Sequence, residues 1–139
     1  MRTISETPEF LFIYGTLLKQ SKQEIASFLE QNSSVISDGY FPGLIYDIGN
    51  YPGAVYLSGS KKRVYGVILR IHNPIDTFKK LDAYEETGLE FEQPNEYQRK
   101  KVPVEKIDGE MIECWTYLYN HSIENKELII SGRYFDRRT

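Results

Sequence analysis

The sequence holds one cysteine, Cys114, among 139 residues. A lone cysteine excludes an intrachain disulfide framework and every metal motif built on cysteine pairs. The two histidines, His72 and His121, match neither a metal-ligand spacing nor a nucleophile–base pattern. They read as surface residues. There is no basic block: 17 Lys and Arg are interspersed with 20 Asp and Glu, for a net charge of −3. That balance argues against nucleic acid as a partner, including single strands stacked on aromatic side chains. The longest apolar run lies near the start and is too short to span a bilayer. The opening MRTISETPE lacks the apolar core of a secretory signal. Neither GxGxxG nor GxxxxGK[ST] occurs, and there is no internal repeat or linker. The expectation is one cytoplasmic domain over residues 1–139, with no membrane partner. A chain of this length can bury a core without disulfides or a metal.

Aromatic residues are plentiful, at 14% with 11 tyrosines. Strands favour them, and polar-tipped aromatics also line small-molecule pockets. Residues 10–15 read as a buried strand. Ser21 and Glu24 form a capping box ahead of a helix whose apolar stripe is Ile25, Phe28 and Leu29. Pro42-Gly43 and Pro52-Gly53 carry the signature of type II turns. Short strands are expected after them, at 44–48 and 54–57. Residues 63–71 read as a central strand, with Gly66 marking a bulge or a close backbone approach. Asn73-Pro74 opens a second helix, Asn73 as N-cap, ending near Gly88. Strands over roughly 97–107 and 111–119 are joined at Asp108-Gly109, a hairpin signal. On the last strand Trp115, Tyr117 and Tyr119 share one face; Cys114, Thr116 and Leu118 share the other. Residues 122–139 read as a helical turn and an irregular tail. The sum is α+β: about six strands, flanked by helices, in a curved sheet or small mixed β-barrel.

Two features carry chemistry. On a helical wheel, Ile75, Phe78, Leu81 and Tyr84 make one apolar side, and Glu85 falls near its centre. A carboxylate there is costly unless paired or protonated. Burial would raise its pKa toward the range of a general acid and base; the other outcome is a frayed helix end with Glu85 in water. Gly15 ends a buried strand, where it serves either a tight turn alone or the approach of a ligand to the main chain. In the second case the N–H groups of Gly15, Thr16 and Leu17 could form an anion nest.

Tyr14-Gly15-Thr16-Leu17 after an apolar strand, followed by Leu81-Asp82-Ala83-Tyr84-Glu85, resembles the gamma-glutamylcyclotransferase-like superfamily. The likeness is to its AIG2-like and gamma-glutamylamine cyclotransferase branch, over roughly residues 10–135. Tyr51-Pro52, Val64–Val67, Tyr97–Arg99 and Trp115–Tyr119 fit in order. The resemblance implies a small mixed β-barrel with flanking helices. It implies an enzyme of acyltransferase or lyase type that needs no cofactor or metal. That enzyme would release 5-oxoproline and an amine from a gamma-glutamyl small molecule. It makes Glu85 the catalytic residue and Tyr14, Gly15, Thr16 and Leu17 the substrate loop. Tyr51, Arg99 and Tyr117 are expected as pocket lining. The alternative is a non-catalytic small-molecule binding module of the same fold.

Overall fold

The structure, a computed structural model, describes residues 7–15 and 23–134. The chain order is β1 (Glu9–Ile13), α1 (Gln23–Gln31), β2 (Ser33–Asp47), β3 (Pro52–Tyr56), β4 (Arg63–Ile71), α2 (Pro74–Tyr84), β5 (Tyr97–Lys106), β6 (Met111–Tyr119) and β7 (Glu127–Leu128). The strands run β2-β4-β1-β6-β5, and β5 returns to β2 through Gly39↔Lys106 and Tyr40↔Glu105. This closes a five-stranded barrel. It is mixed, because β1 and β6 are parallel and the other pairs antiparallel. β3 and β7 are added to the far end of β2.

Alternation along the strands builds two cores. Along β1, Phe12 and Tyr14 join one cluster with Phe41, Ile68, Val104 and Cys114; Leu11 and Ile13 join the other. That second cluster receives Ile25 and Leu29 from α1 and Phe78 and Leu81 from α2. On β6, Cys114 and Leu118 belong to the first cluster, Trp115, Tyr117 and Tyr119 to the second, as the period-2 reading predicts. Burial pushes the Cys114 thiol up to about 12. Both histidines are exposed.

Several expectations are corrected. Pro42-Gly43 and Pro52-Gly53 are not turns: Pro42 pairs with Arg63 of β4 and Gly43 with Tyr56 of β3, while Pro52 and Gly53 pair with Asp47 and Tyr46 of β2. A Cβ on Gly43 would meet the Val55 carbonyl oxygen at 2.2 Å, and one on Gly53 the Tyr119 ring at 2.8 Å. The glycines serve close approach rather than a reversal of the chain, and the strand expected at 44–48 is the end of one that begins at Ser33. Gly66 is a close approach, one of the two outcomes expected for it, with an added Cβ 2.1 Å from the Ile13 carbonyl oxygen. Asn73 sits before α2 in the left-handed region and its side chain makes no cap bond; the first turn is tied by the Thr77 hydroxyl, which donates to the His72 carbonyl (2.8 Å). Ile75 is 82% exposed, because its turn of α2 lies outside the face that Phe78 and Leu81 bury. The tail contributes a strand, β7, and buries Ile129 and Tyr134. Ser21 lies outside the described residues.

Candidate active site

α2 ends in a way that decides where its acidic residues point. Thr87 N–H donates to the Asp82 carbonyl (2.9 Å) and Glu86 N–H to the Ala83 carbonyl (3.1 Å). This crossed pair is the Schellman motif, which turns the chain through one left-handed residue. That residue is Glu86, at φ 56°. Glu85 is the C-cap rather than a residue of the helix body. The turn separates two adjacent carboxylates: Glu85 is 5% exposed, while Glu86 is exposed.

Glu85 lines a cavity with Phe12 and Ile13 at the end of β1, Tyr14 and Gly15 just after it, Tyr51 and Pro52 where β3 begins, Tyr97 of β5, and Thr116 and Tyr117 of β6. The recess, mouth included, measures about 360 Å³. A wider groove of about 460 Å³, lined among others by Tyr40, Tyr65 and Arg133, shares the wall at Ile13–Gly15. Gly15 is needed for packing: a Cβ there would meet Pro52 Cγ at 2.5 Å.

Tyr14 ties three strands together at this point. Its hydroxyl donates to the Tyr117 carbonyl (2.5 Å) and accepts from Ala54 N–H (3.2 Å). Tyr97 Oη donates to the Pro52 carbonyl (2.6 Å). Tyr117 Oη donates to Asp82 Oδ1 (2.7 Å), and Tyr51 Oη to Glu96 Oε2 (2.5 Å). Burial is the first cause that raises the pKa of Tyr14, Tyr51, Tyr97 and Tyr117, and in each case the charge of Glu85 adds to it. All four phenols are held protonated well above their usual range.

Of the residues singled out in the sequence, Glu85, Tyr14, Gly15, Tyr51 and Tyr117 are brought together. Thr16 and Leu17 lie outside the described residues. Arg99 does not line the cavity. Its guanidinium is bound bidentately to Asp82 (Nε–Oδ1 2.8 Å, Nη2–Oδ2 2.9 Å) and lies over the rings of Phe78 and Trp115, 4.5 Å from each centroid. The fixed fork of arginine matches a carboxylate in this way. Pro52, Tyr97 and Thr116 line the cavity without having been singled out as site residues. The hairpin register pairs Tyr97 with Tyr119; extending the alternation from Asp108-Gly109 outward would have found it. Among the described residues, no three His, Cys, Asp or Glu side chains cluster as a metal site, and no helix is long and apolar enough to cross a membrane.

The family model described as "Gamma-glutamyl cyclotransferase, AIG2-like" matches residues 11–136. The chain belongs to this family. It is 30% identical over 128 residues to the gamma-glutamylcyclotransferase family protein YtfP of Escherichia coli K12, covering 91% of this chain and 96% of that protein. The solution NMR structure of E. coli ytfP superposes with a TM-score of 0.64 at 29% identity, over 94% of this chain and 99% of the other. An AIG2-like protein from Mus musculus shares the fold at a TM-score of 0.62 and 23% identity, over 86% and 82% of the two chains. The closed barrel with two added strands and two helices is thus a gamma-glutamylcyclotransferase-like α+β fold.

Proposed function

We propose that the protein is a cofactor-independent gamma-glutamyl cyclotransferase acting on a gamma-glutamyl amine or a related small amide. It releases 5-oxoproline and the free amine. The observation that supports this best is the burial of Glu85 in a cavity that the main chain at Gly15 also lines.

The reaction suits this equipment. The substrate carries its own nucleophile, so the protein's main task is to hold a folded conformer in which the α-amino nitrogen meets the γ-carbonyl carbon. The α-amino group arrives as an ammonium. Glu85 takes one proton from it, the nitrogen adds to the carbonyl carbon, and a five-membered ring forms. The C–N bond to the departing amine then breaks. The nitrogen of that amine receives the proton from Glu85, and a second proton lost by the ring nitrogen leaves it an ammonium. No water is consumed. One carboxyl alternating as base and acid meets the need. Main-chain donors at Gly15, Thr16 and Leu17 are assigned to the substrate's glutamyl end, through its carboxylate or its carbonyl oxygen. Tyr14, Tyr51 and Tyr117 are assigned to its walls. Arg99 is reassigned to holding Asp82 and, through it, Tyr117.

The test is 5-oxoproline release from gamma-glutamyl-lysine, several gamma-glutamyl dipeptides and glutathione. Release from at least one member is expected. Ligand-induced thermal stabilisation with no release would favour a binding module of the same fold.

A further inference from the structure

Asp82 takes three donors from the barrel. Arg99 of β5 supplies two, Nε to Oδ1 at 2.8 Å and Nη2 to Oδ2 at 2.9 Å. Tyr117 of β6 supplies the third, Oη to Oδ1 at 2.7 Å, and Tyr117 lines the cavity beside Glu85. Asp82 lies three residues before Glu85, and residues at that spacing are neighbours on a helix surface. The side chains of Arg99 and Asp82 are 23% and 24% exposed, a depth at which water screens a charge only in part. Arg99 is fixed by more than its partner. Its guanidinium lies over Phe78 of α2 and Trp115 of β6, 4.5 Å from each ring centroid. Burial works against its charge, but the hydrogen bond and charge of Asp82 outweigh burial and hold the guanidinium protonated above its usual range.

A second carboxylate this near to Glu85 matters to a group that has to take a proton and return it. A lone anion at Asp82 would raise the proton affinity of Glu85; a lone cation at Arg99 would lower it. Bound to each other, the two charges largely cancel at a distance. The Tyr117 phenol feels all three groups at once. After burial, the hydrogen bond and charge of Asp82 push its pKa up, the charge of Arg99 pulls it down and the charge of Glu85 pushes it up. The other titratable groups described around Glu85 are the phenols of Tyr14, Tyr51 and Tyr97 in the cavity, Glu96 behind Tyr51 (2.5 Å), and Glu86, turned to solvent. On the far side of Arg99, Trp115 Nε1 donates to Glu9 (2.8 Å), and Glu9 meets Lys101 at 3.6 Å. None of these groups is altered by replacing Asp82 or Arg99, so the sign of the response belongs to the pair.

We propose that Asp82 and Arg99 are a positioning pair that sets the proton affinity of Glu85. Asp82 supplies the acceptor that holds Tyr117, and Arg99 cancels the field that Asp82 would otherwise impose on the carboxylate three residues further along. The use of Glu85 in catalysis rests on the cyclotransferase reading; the effect of the pair on its titration does not.

The first test needs no turnover. The titration midpoint of Glu85 is read from its carboxyl carbon resonance in isotope-labelled protein, identified by its absence from Glu85→Gln. Asp82→Asn leaves the Arg99 cation unpaired and should lower the midpoint by about 0.5 pH unit or more; Arg99→Gln leaves the Asp82 anion unpaired and should raise it by a similar amount. The double variant should return close to wild type. Arg99→Lys keeps the charge and loses the fork, so its midpoint should stay closer to wild type than that of Arg99→Gln. Where one single variant fails to fold, the sign of the other decides alone. Shifts in the same direction, no shift in either, or an Arg99→Lys shift as large as that of Arg99→Gln overturns the proposal. 5-Oxoproline release is a separate measurement, and its absence would end the cyclotransferase reading while these midpoints stand. With release established, the acid limb of kcat/KM should move with the same signs, and an unmoved limb overturns the proposal.

Discussion

Gly15 and Pro52 meet so closely that neither has room to spare. Gly15→Ala would force its Cβ against a rigid ring at 2.5 Å. Overpacking of this kind costs roughly 1–3 kcal/mol. The thermal midpoint of Gly15→Ala should fall accordingly, and adding Pro52→Ala should recover part of the loss. An additive double variant would show that the contact is not the cause. The sequence raised the right question at Gly15, whether turn or ligand access explains it, but missed packing. A contact between residues 15 and 52 is invisible until β1 and β3 are placed together. Glu85 was legible from its place on an apolar stripe. The pairing of Asp82 was not legible; its partners Arg99 and Tyr117 are 17 and 35 residues away.

At the scale of elements, the end of α2 contains a testable oddity. Glu86 adopts φ 56° without being glycine, a conformation that costs an L-residue roughly 1–2 kcal/mol. Glu86→Gly should relieve that strain, offset in part by the entropy of the unfolded glycine. A net gain of about 0.5–1 kcal/mol is expected in chemical denaturation, with the cavity unchanged. A loss of stability would mean that the Glu86 side chain makes contacts worth more than the strain. β4, β5, β6 and their hairpin were readable because their patterning is local. The first half of β2 was not, because Pro-Gly is a strong turn signal and only the nearby Val55 backbone reveals its other use.

The whole molecule carries its tyrosines as protonated struts between strands and helix. An ionised phenol is disfavoured at Tyr14, Tyr97 and Tyr117, mainly by burial. Above the ordinary tyrosine pKa of about 10, the native state therefore holds more protons than the unfolded chain. Stability from this source is fully present below about pH 10 and is lost as pH rises beyond it. Absorbance titration of tyrosinate should show the exposed phenols ionising first and the buried set only together with cooperative unfolding. Smooth ionisation of all 11 tyrosines in a folded chain would contradict the struts. Barrel closure itself was only partly legible. The strand count was near, but closure depends on the short Gly39–Tyr40 pairing with β5, where a Cβ on Gly39 would meet the Glu105 carbonyl oxygen at 2.7 Å.

In the proposed reaction, one carboxylate of the adjacent pair, Glu85, does the chemistry. The most direct measurement compares single-turnover 5-oxoproline formation by wild type, Glu85→Gln and Glu86→Gln on the best substrate of the panel. A loss of about 10²–10⁴-fold is expected for Glu85→Gln and a rate near wild type for Glu86→Gln. Full activity in Glu85→Gln, or a loss confined to Glu86→Gln, would contradict it.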